Sequence, residues 1–195
     1  EAVVQALVRL GMPNLPEDAL SLEALAAYFR PEAISSAPAR WDPRALAFWN
    51  KQVLAHLAPE ALAARIHKHL PERARAQAHR IAALLRENLA KAEDVRGYAR
   101  LWDAHAPLDN EAKAWVRRAP WLVRALRLLD EVSDAEAWLA KLADAVGASG
   151  RALWMPLRAA LLGRTDGPAI KAVAAFLGVE GVRARIEDAL RQTEG

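Results

Sequence analysis

The sequence predicts an all-α protein of ten or more helices joined by short connections. Apolar residues recur at spacings of three and four, which is the period of a half-buried helix. No six-residue stretch alternates apolar and polar residues convincingly, so strand signals are nearly absent. Proline, glycine and capping residues divide the 195 residues into segments of helical length. This pattern favours a helical bundle or cage, and the lack of a fixed-period repeat disfavours a solenoid.

Capping residues, prolines and glycines set the boundaries of these helices. Asp42-Pro43 places an N-cap residue before a proline at the first helical position. Ser133 to Glu136 forms a capping box, and Gly147 ends the helix that it opens. Gly163 and Gly178 mark later helix ends. In chain order, the predicted helices cover residues 3–10, 22–29, 43–57, 59–70, 72–89, 93–104, 110–118, 121–130, 133–146, 156–162, 168–177 and 179–191.

Composition excludes several classes of protein and favours an anionic partner. The absence of cysteine excludes disulfide frameworks and thiolate metal sites, and it fits a reducing cytosol. No apolar run approaches the roughly 20 residues of a membrane span, and no signal peptide is found. The formal net charge is only +3, but residues 65–127 hold 14 basic and 7 acidic side chains. Such a basic middle favours a nucleic acid as partner; the alternative is an ordinary solvated helix surface.

The residues show no constellation for catalysis or metal binding. His67 and His69 are two residues apart, so on a helix they point to different faces and do not form a zinc pair. No Gly-x-Ser-x-Gly elbow occurs, and the glycines lie singly at helix ends rather than in a phosphate-binding loop. The sequence thus predicts no catalytic residue, no metal site and no cofactor in this chain. Because Glu1 lies inside an apolar stripe, we expect the chain to be a piece of a longer protein.

The seven tryptophans allow two interpretations. Most lie on apolar stripes, where core packing accounts for them. Because they are interleaved with arginines, they could instead stack on the bases of RNA. Trp154 is the best placed for base stacking, since it lies beside an arginine-bearing helix start.

The segment from Gly150 to Pro168 is the most informative part of the chain. Pro156 predicts a helix start that places Arg158 in the first turn, and Gly167-Pro168 predicts the start of the next helix. Backbone N–H groups of two helix N-termini and a guanidinium would then face one region. Such an arrangement suits phosphates or the edges of unstacked bases.

This segment closely resembles the C-terminal signature of bacterial glutamyl-tRNA synthetases. In that family a Pro-Leu-Arg-x-Ala-Leu-x-Gly run is followed by a Gly-Pro-like turn, Leu-Gly-x-Glu and an arginine-rich helix. The front of the chain is also similar, with counterparts of the family's Ala-x-x-x-Tyr-Leu-x-Arg-Leu-Gly and Ser-x-Ala-x-Phe-Asp elements. The matching segments are Pro156–Gly163, Gly167-Pro168, Leu177–Glu180, Arg183–Ile186, Glu1–Gly11 and Ser36–Asn50.

The resemblance implies a helical stem-contact region over residues 1–57, followed by an anticodon-binding cage. The cage would consist of two helical subdomains, over residues 58–130 and 131–195. The family's His-Ile-Gly-His and Lys-Met-Ser-Lys-Ser type signatures do not occur here. A missing N-terminal catalytic domain would therefore bind ATP and Mg and carry out the ATP-dependent glutamylation of tRNA. This chain would pack on that domain. Alone, the chain would be inactive, monomeric and cytoplasmic, with tRNA as its partner and neither DNA nor membrane.

The resemblance also implies roles for particular residues. Arg158 would read the first two anticodon bases, with backbone contributions from Gly167, Pro168 and Ile170. In the family, one position reads the third anticodon base and is commonly Arg in synthetases restricted to glutamate tRNA. That position falls on Asn88. An asparagine there predicts acceptance of glutamine tRNA as well, unless the neighbouring Arg86 does the reading. The phosphate contacts expected on the basic surface are Arg117 and Arg124.

Two alternatives to a tRNA-binding domain remain. A helical protein–protein interaction domain would explain the alanine-rich helices and the tryptophan stripes, but not the Pro-Leu-Arg and Gly-Pro elements. A helix-turn-helix DNA binder is disfavoured, because no short helix–turn–helix unit carries a run of base-reading side chains.

Overall fold

The computed structural model describes residues 1–12 and 14–194, and it confirms the all-α prediction. Within these residues there is no strand. Three 3-10 helices cover Pro31–Ala33, Ala92–Leu101 and Leu129–Glu131. The α-helices are α1 (Ala2–Gly11), α2 (Leu22–Tyr28), α3 (Pro43–His56), α4 (Pro59–His67), α5 (Glu72–Arg75), α6 (Ala78–Leu85), α7 (Asn110–Arg117), α8 (Leu122–Leu128), α9 (Ala135–Val146), α10 (Gly150–Leu162) and α11 (Ile170–Arg191).

Among the described residues, four α-helices (α2, α3, α7 and α9) begin with a side chain that caps the backbone. The Asp42 carboxylate accepts a hydrogen bond from the backbone N–H of Arg44 (2.9 Å) at the start of α3. Asp109 does the same for the N–H of Ala112 (2.7 Å) at α7. At α9 the capping residue is Asp134 and not Ser133. Its carboxylate accepts from two backbone N–H groups, and a negative charge is more favourable than a hydroxyl at the positive end of a helix.

Two predicted helices are interrupted or kinked in the structure. The helix predicted over 72–89 is interrupted at Gln77 (φ −98°, ψ 7°), although the buried residues of α5 and α6 stay on one side. The segment predicted as a helix over 93–104 forms the kinked 3-10 helix Ala92–Leu101, with Tyr98 at φ −107° and ψ 31°. Tyr98, Arg100 and Leu101 all point inward there. A straight α-helix would send Arg100 away from the stripe of the other two.

Three glycines end or break helices as the sequence predicts. Gly147 and Gly163 adopt left-handed backbone conformations directly after α9 and α10. Gly178 (φ 67°, ψ 176°) interrupts α11, which therefore consists of two helical halves. These positions need glycine because other residues pay a steric penalty at positive φ.

A single hydrophobic core runs from Leu54 to Ala189. In it α4 packs on α6, α10 packs on α7 and α11, and α9 packs on α8 and α11. Trp138 is fully buried in this core, and its indole N–H donates to the carbonyl oxygen of Ala125 (2.9 Å). For this residue core packing is the correct interpretation. No helix in residues 1–12 and 14–194 is both long and apolar enough to span a bilayer.

The N-terminal helices pack mainly on one another. α1 lies against α3, and the guanidinium of Arg9 stacks 3.9 Å from the ring centre of Trp49. The outer face of α1 leaves Val3 and Leu7 about half exposed. The division of the chain at residues 57 and 130 stays a prediction.

A buried ion pair between Arg100 and Asp188 joins four distant parts of the chain. Arg100 is 1% exposed, and its guanidinium donates to Asp188 Oδ2 at 2.9 Å. It also donates to three backbone carbonyl oxygens, of Ala160 (3.1 Å), Ala106 (2.6 Å) and Arg185 (2.8 Å). The pair therefore holds the 3-10 helix Ala92–Leu101, the loop before α7, α10 and the second half of α11 together.

The Asp188 carboxylate has partners on both oxygens. His105 Nδ1 donates to Oδ1 (2.9 Å), and Gln192 Nε2 donates to Oδ2 (2.6 Å). Burial acts to raise the pKa of Asp188, but the hydrogen bonds from His105, Arg100 and Gln192 outweigh it and leave the pKa below its ordinary value. Desolvation lowers the pKa of Arg100, and the bonds to Asp188 oppose that shift.

We expect Arg100→Leu to lower the free energy of unfolding by about 3–5 kcal/mol, because it leaves the Asp188 carboxylate buried without its cation. Urea titration followed by circular dichroism measures the loss. Arg191→Leu is the matched control, since the Arg191 guanidinium is 61% exposed and lies 3.7 Å from the same carboxylate. The control is expected to cost less than about 1 kcal/mol. Equal losses in the two variants would contradict this prediction.

The stability difference between the wild type and Asp188→Asn should depend on pH. Because the folded pKa of Asp188 lies below its ordinary value of 3.8, the stabilisation from the carboxylate is fully present above that pH. It is lost as the pH falls through the folded pKa. Urea titrations at pH 7 and below pH 3.8 should therefore show the difference shrinking in acid, and a constant difference would contradict the ionised state of Asp188.

Candidate functional site

A groove with a volume of about 510 Å³ opens between α9, α10 and the start of α11. Its walls are largely apolar, but they include the cations of Arg158 and Lys171 and the carboxylate of Glu136. The residues that line it are Glu136, Leu139, Ala140, Trp154, Arg158, Ala169, Ile170 and Lys171. The structure thus brings Arg158, Trp154 and Ile170 together, as a single site would require.

The predicted position of Arg158 within its helix was wrong. α10 begins at Gly150, so Pro156 lies inside the helix and Arg158 is in its third turn rather than its first. An internal proline loses one backbone hydrogen bond and costs about 3 kcal/mol. Burial of Leu153, Pro156 and Leu157 in the core offsets that cost, which a local pattern does not reveal.

Of the two helix N-termini that the sequence predicts at this site, only that of α11 lies at the groove. α11 begins at Ile170, after Ala169, and no side chain caps it. The backbone N–H groups of its first turn are therefore open to a ligand or to water. Gly167-Pro168 forms the turn that leads into this helix, as predicted, although the helix starts two residues later.

The Arg158 guanidinium is held in place but has unused donors. Its Nη2 donates to the carbonyl oxygen of Pro168 at 3.4 Å, which is a long hydrogen bond. Its Nε is buried and has no hydrogen-bond partner among the described residues. The terminal nitrogens, by contrast, make only the Pro168 bond within the described residues, so they retain donors for an acceptor in the groove.

The loop between α10 and α11 is fastened at several points. The carbonyl oxygen of Gly163 accepts from the N–H of Asp109 (2.9 Å), and the Thr165 hydroxyl donates to Glu111 (3.0 Å). The Arg164 guanidinium lies 4.5 Å from the ring centre of Tyr98 and donates to both oxygens of Asp166 (2.6 and 2.9 Å). These contacts fix the backbone of Gly167 and Pro168 relative to Arg158.

The loop's ionisable groups respond to this packing. The hydrogen bond from Arg164 holds the pKa of Asp166 below its ordinary value. Burial raises the pKa of Tyr98. Both groups therefore keep a fixed protonation state at neutral pH.

Across the groove, Lys171 and Glu136 form an ion pair of 2.5 Å in which both side chains are 69% exposed.

The other candidate residues lie elsewhere on the surface. Arg86 donates to the carbonyl oxygen of Leu57, just after α3, and Asn88 is half-buried in the turn that follows α6. Arg117 on α7 and Arg124 on α8 are exposed, and neither forms an ion pair in the described part of the chain. Trp154 is 41% exposed, in contrast to Trp138. No cluster of three or more His, Cys, Asp or Glu side chains suited to a metal occurs in residues 1–12 and 14–194.

Sequence reasoning missed the residues that support the site. Tyr98 and Arg164 are far apart in the sequence, as are Arg100 and Asp188, and no motif or spacing connects either pair. Both segments carry several charged residues, so the burial of Arg100 and Asp188 is visible only once the packing is known.

The fold is a helical bundle with an arginine, an exposed tryptophan and an uncapped helix start around one groove. Comparison with known families is more specific. The chain belongs to the anticodon-binding domain family, whose profile matches residues 53–190.

Curated relatives agree with this assignment. The chain is similar to glutamate–tRNA ligase 2 of Nitrosococcus oceani, with 30% identity over 99% of this chain and 42% of that protein. It is 36% identical to glutamate–tRNA ligase 2 of Acidiphilium cryptum, over 96% of this chain and 40% of that protein. The resemblance inferred from the sequence is therefore confirmed. The chain spans about two-fifths of the length of these relatives.

A solved structure has the same fold. A glutamate tRNA ligase from Elizabethkingia meningosepticum, crystallised with its amino acid, superposes with a TM-score of 0.74 at 21% identity. The match covers 100% of this chain and 41% of that one.

Gly167→Ala should destabilise the loop more than Gly147→Ala, although both glycines have positive φ. A Cβ at Gly167 (φ 134°) would lie 3.0 Å from Leu162 and 3.1 Å from Tyr98, whereas one at Gly147 (φ 65°) would meet nothing within 4 Å. We expect a loss of about 1–3 kcal/mol at Gly167 and about 1 kcal/mol at Gly147. Thermal unfolding of the two variants provides the comparison, and equal shifts would contradict the close packing of the turn.

Proposed function

We propose that this chain recognises the anticodon of a tRNA in the groove between α9, α10 and α11. The observation that carries the proposal is the Arg158 guanidinium on the groove wall, whose terminal nitrogens make only one long hydrogen bond, to Pro168, among the described residues. A guanidinium has five N–H donors, and a base edge with two acceptors pairs with two of them. Membership of the anticodon-binding domain family and the similarity to glutamate–tRNA ligases support the same ligand.

The groove offers complementary contacts for the rest of an unstacked base. The exposed Trp154 provides a flat surface at its rim on which a base could stack. Gly167, Pro168 and Ile170 supply backbone groups next to Arg158. A base read in this way is bound from its edge by Arg158 and from its face by apolar side chains.

Phosphate contacts belong to a different surface in this proposal. Arg117 and Arg124 project from α7 and α8 without ion-pair partners in the described residues. Such cations contribute affinity that falls with salt, but they carry no sequence information.

The complete protein is proposed to be a cytoplasmic, monomeric glutamate–tRNA ligase, with ATP and Mg bound outside this chain. The chain itself then contributes recognition and no catalytic group. Residues 1–57 would contact the tRNA stem and pack on the catalytic domain. The exposed apolar side chains of Val3 and Leu7 on α1 support such packing, and they equally suit a partner helix in the protein–protein alternative.

The third anticodon base is proposed to be read weakly. The family position for that base falls on Asn88, which is shorter than arginine and both donates and accepts hydrogen bonds. An asparagine therefore accommodates C or G, so the protein would accept both glutamate and glutamine tRNAs. Arg86 is the competing reader, although its guanidinium already donates to the carbonyl oxygen of Leu57.

Arg158→Ala should weaken binding of an RNA stem–loop with a glutamate anticodon by about 1–3 kcal/mol. A stem–loop with the first two anticodon bases replaced should be unaffected, because its base edges never paired with Arg158. Fluorescence anisotropy measures both affinities. Arg158→Lys keeps the charge but not the fork, so it should also lose discrimination. Arg124→Ala should weaken both RNAs alike. Equal binding by the wild type and Arg158→Ala would contradict the proposed role.

Asn88→Arg should convert weak third-base reading into a preference for the glutamate anticodon. The wild type is expected to bind glutamate and glutamine stem–loops, which end in C and G, within a fewfold of each other. Arg86→Ala tests the competing reader with the same pair of RNAs. A strong wild-type preference for the glutamate stem–loop that Asn88→Arg leaves unchanged would contradict the assignment to Asn88.

A further inference from the structure

Two guanidiniums converge on one indole ring where α7 meets α10. The Cζ atom of Arg118 lies 6.0 Å from the ring centre of Trp115, and that of Arg151 lies 5.3 Å from it. Trp115 is half-buried and packs against the core, whereas both arginines are exposed. We call these three residues the Trp115 patch. Cation–π contacts restrict both long side chains before any ligand arrives.

The positive charge of the Trp115 patch is not neutralised by the protein. Neither Arg118 nor Arg151 forms an ion pair within the described residues. Arg151 lies in the first turn of α10, where the helix dipole is unfavourable to a cation and no side chain caps the backbone. Glu111, an acidic residue on the same face of α7, lies two turns from Arg118 and accepts a hydrogen bond from Thr165.

The patch and the anticodon groove share one face of α10. Arg151, Trp154 and Arg158 are spaced by three and four residues, so they follow one another along the same side of the helix. Seven residues correspond to about 10 Å along the helix axis. An RNA strand whose base lies beside Arg158 therefore continues past Trp154 toward the two guanidiniums.

We propose that Arg118 and Arg151, aligned by Trp115, bind the backbone phosphate of a nucleotide that flanks the bases read by Arg158. This inference rests on the proposed function, because it takes the strand direction from the groove. Two guanidinium forks match the oxygens of a phosphate, and the anion would also offset the mutual repulsion of the two cations. The patch then sets the position of the anticodon loop without reading its sequence.

The experiment compares the 195-residue chain with Arg118→Gln/Arg151→Gln for binding of the glutamate stem–loop between 50 and 200 mM salt. Loss of one phosphate contact should lower the slope of log association constant against log salt by about 0.7. Arg191→Gln is the control for loss of a single surface charge, because its exposed guanidinium already has a carboxylate nearby. It should leave the slope unchanged. Trp115→Leu should reproduce part of the loss, since the arginines lose their alignment.

Neutral methylphosphonate linkages, placed one at a time in the loop, locate the contact. One flanking linkage should weaken binding to the wild type and have no effect on the double variant. If the double variant keeps the wild-type slope and linkage profile, the phosphate site is overturned. If Arg158→Ala still loses base discrimination in that case, the proposed function stands. If the wild type binds the stem–loop without base discrimination, both fail.

Discussion

The buried ion pair between Arg100 and Asp188 is the constraint on which the rest of the cage depends. A guanidinium and a carboxylate removed from water are stable only if nearly all of their hydrogen-bonding capacity is used. Here the carbonyl oxygens of Ala160, Ala106 and Arg185 and the side chains of His105 and Gln192 meet that demand. Because these groups come from separate segments, satisfying one ion pair fixes how those segments are arranged.

The same arginine connects the core to the groove. A Cβ at Gly163 would lie 2.7 Å from Cδ of Arg100 and 3.0 Å from the carbonyl oxygen of Pro107, so only glycine fits there. Gly163 ends α10 and starts the loop that carries Gly167 and Pro168. The close contact between Gly163 and Arg100 therefore determines where this loop leaves α10. It thereby also determines where the backbone of the loop lies relative to Arg158.

In the proposed function, the groove and the Trp115 patch would supply two different kinds of contact. Arg158 is half-buried and its terminal nitrogens retain donors without partners among the described residues, which is the condition for discriminating among ligands by their acceptors. Arg118 and Arg151 are exposed, so they contribute charge rather than discrimination. Because Arg158 and Arg151 both lie on α10, a helix packed firmly into the core, these two groups are held at a fixed separation.

The sequence by itself determined the fold class, most helix boundaries and the family. A cap such as Asp42, and stops such as Gly147 and Gly178, act through the adjacent backbone, so a local pattern is sufficient to find them. The Pro-Leu-Arg element likewise pointed to Arg158, which lines the groove.

Only the tertiary structure decided how those residues are presented. Pro156 lies inside α10 because burial in the core offsets a lost hydrogen bond, and that burial depends on helices far away in the chain. The partners of Arg100, the stacking of Arg164 on Tyr98 and the convergence on Trp115 all join residues that no spacing relates. Local propensities set where helices begin and end, whereas their packing sets which side chains meet.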